Sequence, residues 1–117
     1  MDLLALGSII TLKKDSGNTK LMVVTRGAIT NVNGEEGFFD YAAVIYPIGI
    51  VDNQLYFFNN EDIGKIIFKG FSDEDDKKLT SKLLSRMKND QIMHHSVNNV
   101  EHQEDLSILL DKKERQE

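Results

Sequence analysis

The chain has 117 residues, enough to bury one hydrophobic core and too few for two ordinary domains. Its 14 Lys and Arg stand against 19 Asp and Glu, a formal charge of −5 whose field repels nucleic-acid phosphates and anionic membrane surfaces. No cysteine is present, which excludes disulfides, thiol catalysis and thiolate metal sites and agrees with a reducing cytoplasm.

The first 14 residues carry an acid at Asp2 and no basic flank, and Gly7 and Ser8 interrupt their apolar run, so they do not read as a signal peptide. No apolar run approaches the roughly 20 residues that cross a bilayer. A cytoplasmic protein without membrane insertion is the expectation. Residues 8–13 and 20–26 are rich in branched side chains, and Asp15, Ser16, Gly17 and Asn18 between them favour a tight turn, which predicts a hairpin. Residues 30–37 are polar and contain glycine, so they read as an exposed loop leading into a strand over 39–47. That strand should end near Pro47, which has no N–H to give a ladder. Asp52-Asn53 signal a second hairpin, and residues 64–70 a fifth strand bounded by Gly64 and Gly70. Such short links predict a five-stranded antiparallel meander.

Several of these strands are apolar on both faces. Leu21 and Val23 point one way, Met22 and Val24 the other, and Ile67 opposes Ile66 and Phe68. A sheet wetted on one side alternates apolar with polar residues. The second face therefore needs a cover: the sheet curls into a small barrel or half-barrel, or a helix or partner chain lies across it.

Composition changes at Ser72. Leu79, Leu83, Leu84 and Met87 fall at helical spacing behind Ser72 as N-cap and a first turn of acids, which predicts an amphipathic helix over 73–89. Further on, Leu106, Leu109 and Leu110 form a short stripe on a second helix over 103–114. The fold class is thus α+β: a curled sheet or half-barrel of five meandering strands, a C-terminal amphipathic helix and a partly ordered helical tail. Residues 1–90 form the single domain and 91–117 the polar tail.

No catalytic kit is visible. The run Asp73, Glu74, Asp75, Asp76 lacks the alternation, glycine and closing glutamate of a Ca²⁺ loop, and reads as charge at a helix N-terminus. His94, His95 and His102 are the only histidines, and adjacent residues project in different directions, so the pair reads as solvated instead of metal-binding. No nucleophile motif accompanies Ser8, and no histidine lies in the β half to activate it. Asp40 and Asp62 form a carboxylate pair only if the fold joins them. The glycines punctuate strands without a phosphate-binding frame. The reading is of a non-enzyme with no catalytic, cofactor or metal site.

The aromatics gather around strands three to five. In Tyr56-Phe57-Phe58 successive side chains alternate in direction, so at least one ring needs the helix as cover or a partner as contact. In Asn59-Asn60-Glu61-Asp62-Ile63 the Asn side chains can bond the following backbone and start one helical turn; a structural corner and a recognition epitope both fit. Partner-binding candidates are therefore Tyr46, Tyr56, Phe58, Asn59 and Asp62 in the β half, and the helical stripe of Leu79, Leu83 and Met87, unless the sheet already buries it.

Leu6-Gly7-Ser8, the Asp40-Tyr41 strand running to Tyr46-Pro47-x-Gly49, and Phe57-Phe58-Asn59-x-Glu61-Asp62-Ile63, taken in order over residues 5–78, resemble domain-of-unknown-function family 4176. These are small proteins associated with type VII (WXG/LXG) secretion loci of low-GC Gram-positive bacteria. The resemblance implies a cytoplasmic accessory protein, an adaptor or chaperone for LXG-type toxins, whose partner is a helical secretion protein or a toxin's targeting region. A sheet with two apolar faces followed by an amphipathic helix would offer such a partner a groove. The alternative is an immunity protein whose acids Asp73 to Asp76 meet a cognate toxin's basic active site. A small ligand-binding protein or enzyme is the third class.

Overall fold

The structure is a computed structural model, and it describes residues 2–89 and 93–97. The strands are β1 (Ile9–Leu12), β2 (Leu21–Val32), β3 (Glu35–Ile45), β4 (Tyr56–Phe58), β5 (Ile63–Phe68) and β6 (Met93–His94), with one helix, α1 (Glu74–Asn89), between the last two. The expected helix over 103–114 and His102 lie outside the described residues.

The long β2–β3 hairpin is the spine of the sheet, paired from Leu21↔Ile45 to Val32↔Glu35 with one irregularity between Val23 and Thr25. Residues 30–37, expected as a loop, are instead the outer arms of this hairpin. They turn at Asn33-Gly34, where both φ are positive, 53° and 86°, and the Gly34 N–H donates to Asn31 Oδ1 at 2.9 Å. Two central residues with φ > 0 match the right-handed twist of the strands they join. The arms are polar because they project beyond the core, and main-chain pairing asks nothing of their side chains. The turn between β1 and β2 is organised by buried Asp15, whose carboxylate accepts the N–H groups of Gly17 and Thr19 at 3.3 and 2.6 Å. β3 ends at Ile45, just ahead of the cis Tyr46–Pro47 bond, and Asp52-Asn53, again at positive φ, turn the chain back beneath the Val51↔Gln54 bridge.

Strands one to four follow each other as expected, but the fifth does not lie beside the fourth. The order is β4-β3-β2-β1-β5, all antiparallel, so β4 and β5 are opposite edges joined by residues 59–62. Five flat strands would hold those edges about 19 Å apart at the usual spacing. The five Cα steps from Phe58 to Ile63 reach at most about 18 Å when fully extended. They fall well short of that, since Asn60–Asp62 form a 3₁₀ turn. The sheet therefore has to curl. Its edges approach at the corner, where the Lys13 N–H donates to Asp62 O at 3.0 Å, but no ladder joins β4 to β5 among the described residues, so the curled sheet stays open.

Inside the curl lie Ile10, Leu12, Leu21, Val23, Tyr41, Ala43, Ile45 and Phe58, with Leu83, Leu84 and Met87 of α1 packed against them. The helix crosses β2 at Gly27, where a Cβ would stand 3.6 Å from Leu83. Asp73, not Ser72, caps α1: its Oδ1 accepts the Asp76 N–H at 3.0 Å. Ser72 instead donates its hydroxyl to Asp76 Oδ2 at 2.7 Å.

Candidate functional site

The corner between β4 and β5 is the most densely bonded polar cluster described. Asn59 is 2% exposed. Its Oδ1 accepts the Asp40 N–H at 2.9 Å and its Nδ2 donates to His95 O at 2.7 Å. Main-chain N–H groups open the 3₁₀ turn toward carboxylates: Asn59 N donates to Asp62 Oδ2 at 2.8 Å, and Asn60 N to Asp40 Oδ2 at 2.9 Å. The fold thus brings Asp40 and Asp62 to one corner, but for backbone capping. Tyr41 completes the cluster, donating its hydroxyl to Asn60 Oδ1 and accepting the Leu4 N–H at 2.9 Å. Burial holds the Tyr41 phenol above its ordinary value of 10.0 against those hydrogen bonds.

His94 and His95 close the corner from outside, and neither is simply solvated. Their segment pairs parallel to β3, Gly37↔Met93 and Phe38↔His94, with the His95 N–H donating to Phe38 O at 2.8 Å. His95 is 3% exposed, its Nε2 lies 3.1 Å from Thr30 O, and its ring tilts against Phe39. His94 stacks flat on Phe38, with ring centroids 4.5 Å apart. Its Nε2 is 3.0 Å from Asn59 Oδ1 and 3.1 Å from Asp40 Oδ1. One ring N–H faces two acceptors, which leaves the buried Asp40 Oδ1 without a well-aligned donor of its own. The sequence signal for this segment is the apolar Ile92-Met93 ahead of the histidines in an otherwise polar stretch. Arg26 is the other polar residue that sequence reasoning passed over: it is the lone basic residue between Lys20 and Lys65, and it is buried, linking β2 to Leu4 and to α1.

The candidate contact residues divide sharply. Tyr56 and Phe58 are buried, and Tyr41 stacks on Phe58, so these two rings belong to the core and present no contact surface. Asn59 and Asp62 spend their side chains on the corner. Leu83 and Met87 are half-buried against the core. Tyr46 and Leu79 remain outward. The largest exposed apolar run lies elsewhere: Ile66, Ile67 and Phe68 of edge strand β5 are 43, 45 and 59% exposed, and Phe71 just beyond is 81% exposed. Among the described residues no cluster of His, Asp and Glu is arranged to hold a metal, and no helix is long and apolar enough to cross a membrane.

A curled, open sheet locked by a polar corner and backed by one helix defines a small α+β domain. Residues 3–79, about two thirds of the chain, match the family described as domain of unknown function (DUF4176), and the chain belongs to that family. The matched region contains Asp40, Tyr41 and Asn59–Asp62 of the corner but not His94 and His95, and it ends inside α1. No curated protein and no solved structure matches the chain.

Proposed function

We propose that this protein is a non-enzymatic accessory protein, an adaptor or chaperone that holds a helical secretion partner of an LXG-type toxin in the cytoplasm before type VII export. The observation that carries the reading is the apolar run Ile66, Ile67, Phe68 and Phe71, left in solvent by a domain whose polar cluster is spent on its own backbone. Exposed apolar side chains gathered in one stretch mark a contact surface. An amphipathic helix laid along this edge would cover the side chains on its own face of β5, with Tyr46 and Leu79 as further outward-facing candidates. Type VII association itself rests on the resemblance of the motifs.

The test is capture of partners from the native cytoplasm with the tagged chain and with a Phe68→Asp, Phe71→Asp variant, which should fold because both side chains are exposed. Recovery of a helical secretion protein or a toxin targeting region by the wild type, and its loss in the variant, is the expected result. The immunity reading draws on Glu74 and Asp75, which stand exposed at the start of α1. Under that reading the captured species is a toxin's catalytic domain, its binding weakens steeply with salt, and the aspartate variant keeps it.

A further inference from the structure

We propose that the groove between β3 and the C-terminal half of α1 is a binding site for a small zwitterion with an apolar body, of which an apolar amino acid is the simplest, with Asp40 receiving its ammonium and Lys88 its acid group. No bond is made or broken there, and the inference goes beyond the secretion reading without depending on it.

One atom points to a ligand. Asp40 is 2% exposed, and its two oxygens are treated differently. Oδ2 accepts the Asn60 N–H at 2.9 Å. Oδ1 is buried with no hydrogen-bond partner. A buried carboxylate oxygen without a donor is costly and calls for an explanation. Capping does not supply one: an asparagine at position 40 would accept the same N–H through its carboxamide oxygen, with no charge to bury. The negative charge is the part of Asp40 that the corner leaves unused.

That carboxylate lines a groove of about 520 Å³ whose walls include Phe38, Leu84 and Met87 and whose polar groups include His94 and Lys88. Small-molecule sites have this make-up, apolar walls with a few polar groups that fix orientation. The two opposite charges select the ligand. A plain anion would meet Asp40 and a plain cation would meet Lys88, whereas a zwitterion satisfies both and lays its apolar body on the walls between. His94 is the side chain that stands over Asp40 Oδ1, with Nε2 3.1 Å away and the side chain 49% exposed. It is held by its stack on Phe38 and by an N–H it also points at Asn59 Oδ1. A rotation toward solvent cedes Oδ1 to the ligand's ammonium, which brings three donors and a charge where the imidazole brings one shared N–H.

The test titrates three probes with one body into the ¹⁵N-labelled full chain: phenylalanine, phenethylamine, which lacks the acid, and 3-phenylpropionate, which lacks the ammonium. Phenylalanine should give saturable shifts at Phe38, Asp40, Leu84, Met87 and the His94 ring. 3-Phenylpropionate should bind about tenfold more weakly or worse, the loss of a charge-assisted hydrogen bond to a buried group. Phenethylamine should bind about twofold to fivefold more weakly, since Lys88 is exposed. Asp40→Asn should remove the preference for phenylalanine over 3-phenylpropionate, and Lys88→Gln the preference for phenylalanine over phenethylamine. The probe comparison needs no variant and Lys88 is exposed, so both arms stand even where Asp40→Asn does not fold. The proposal is overturned if phenylalanine gives no saturable shift up to its solubility, if either half-probe binds as well as phenylalanine, or if a folded Asp40→Asn keeps the wild-type preference. No secretion protein enters this experiment, so its outcome and that of the capture experiment are independent.

Discussion

Arg26 and Asp76, fifty residues apart, meet at 2.7 Å with the guanidinium 3% exposed. The same guanidinium donates to Leu4 O at 3.1 Å, so one side chain ties the N-terminal segment, β2 and the first turn of α1 together. Asp76→Ala leaves a buried cation with a single carbonyl partner and should destabilise the fold by about 2–3 kcal/mol. Replacing both partners, Arg26→Met with Asp76→Leu, removes the charge along with its need, and the double variant should be more stable than Asp76→Ala alone. Urea unfolding of the three chains measures both differences.

The same pair sets a dependence on acid. The Ser72 hydroxyl first, and Arg26 after it, hold the Asp76 carboxyl below its ordinary value of 3.8, against partial loss of its water. A carboxyl depressed in the folded state contributes stability that is complete above its unfolded value and is lost as pH falls through the folded one. Ser72→Ala should therefore lower Tm at neutral pH, and its gap from wild type should close as the pH falls below 3.8. A gap that stayed constant through the acid range would assign the effect of Ser72 to something other than Asp76.

The regular parts of this fold were legible because their signals are local. The α1 stripe, the Asp52-Asn53 turn and the β1–β2 hairpin each follow from a few adjacent residues, and the apolar second face correctly demanded a curled sheet or a helical cover. The place of β5 was not legible. Its short link to β4 suggests neighbours in a flat sheet, and only curvature, a property of the whole sheet, lets four corner residues reach the opposite edge. Asn33-Gly34 carried a hairpin signal that the surrounding polar residues obscured, since burial periodicity fades where a hairpin leaves the core. The family motif around Asn59 falls at the corner between β4 and β5. Its chemistry depends on Asp40, Tyr41 and His95, and no sequence spacing brings those together. The solvated reading of the histidines failed because β3 offered them an unfilled edge.

At that corner the prediction concerns Asn59. Asn59→Ala withdraws an acceptor from Asp40 N and a donor from His95 O, leaving both buried groups unpaired at a cost of about 1–3 kcal/mol. Asn59→Asp should cost more, since it sets a carboxylate oxygen against the His95 carbonyl. Both should raise amide exchange at residues 93–97 before the β2–β3 hairpin is affected, and hydrogen exchange of the full chain resolves the two.

Gly70 tests the other end of β5. Its N–H donates to the buried Ser8 Oγ at 2.9 Å, and an added Cβ would lie only 2.0 Å from the Leu6 carbonyl oxygen, which is backbone. Gly70→Ala must therefore push the Leu6–Ser8 turn aside, at about 1–3 kcal/mol typical of overpacking. Gly34→Ala, with open space around its Cβ, is penalised only through its positive φ. Thermal melts should rank Gly70→Ala as the more damaging, and the reverse order would mean that the Leu6 turn yields easily.

Among the described residues β5 pairs on one side only, with β1, and its Ile66, Ile67 and Phe68 are bracketed by the exposed lysines Lys65 and Lys69. Two copies pairing antiparallel about Ile67 would set Lys65 of each directly opposite Lys69 of the other, and like charges in that position oppose the ladder. Lysines on an apolar edge are a recognised means of keeping such strands apart. Replacing Lys65 and Lys69 together by serine should therefore produce concentration-dependent association, followed by static light scattering as a rise in mass above that of the wild type, while Phe68→Asp added to the pair should reverse it. A serine variant that stays monomeric at high concentration would show that charge is not what keeps this edge from pairing with a second copy.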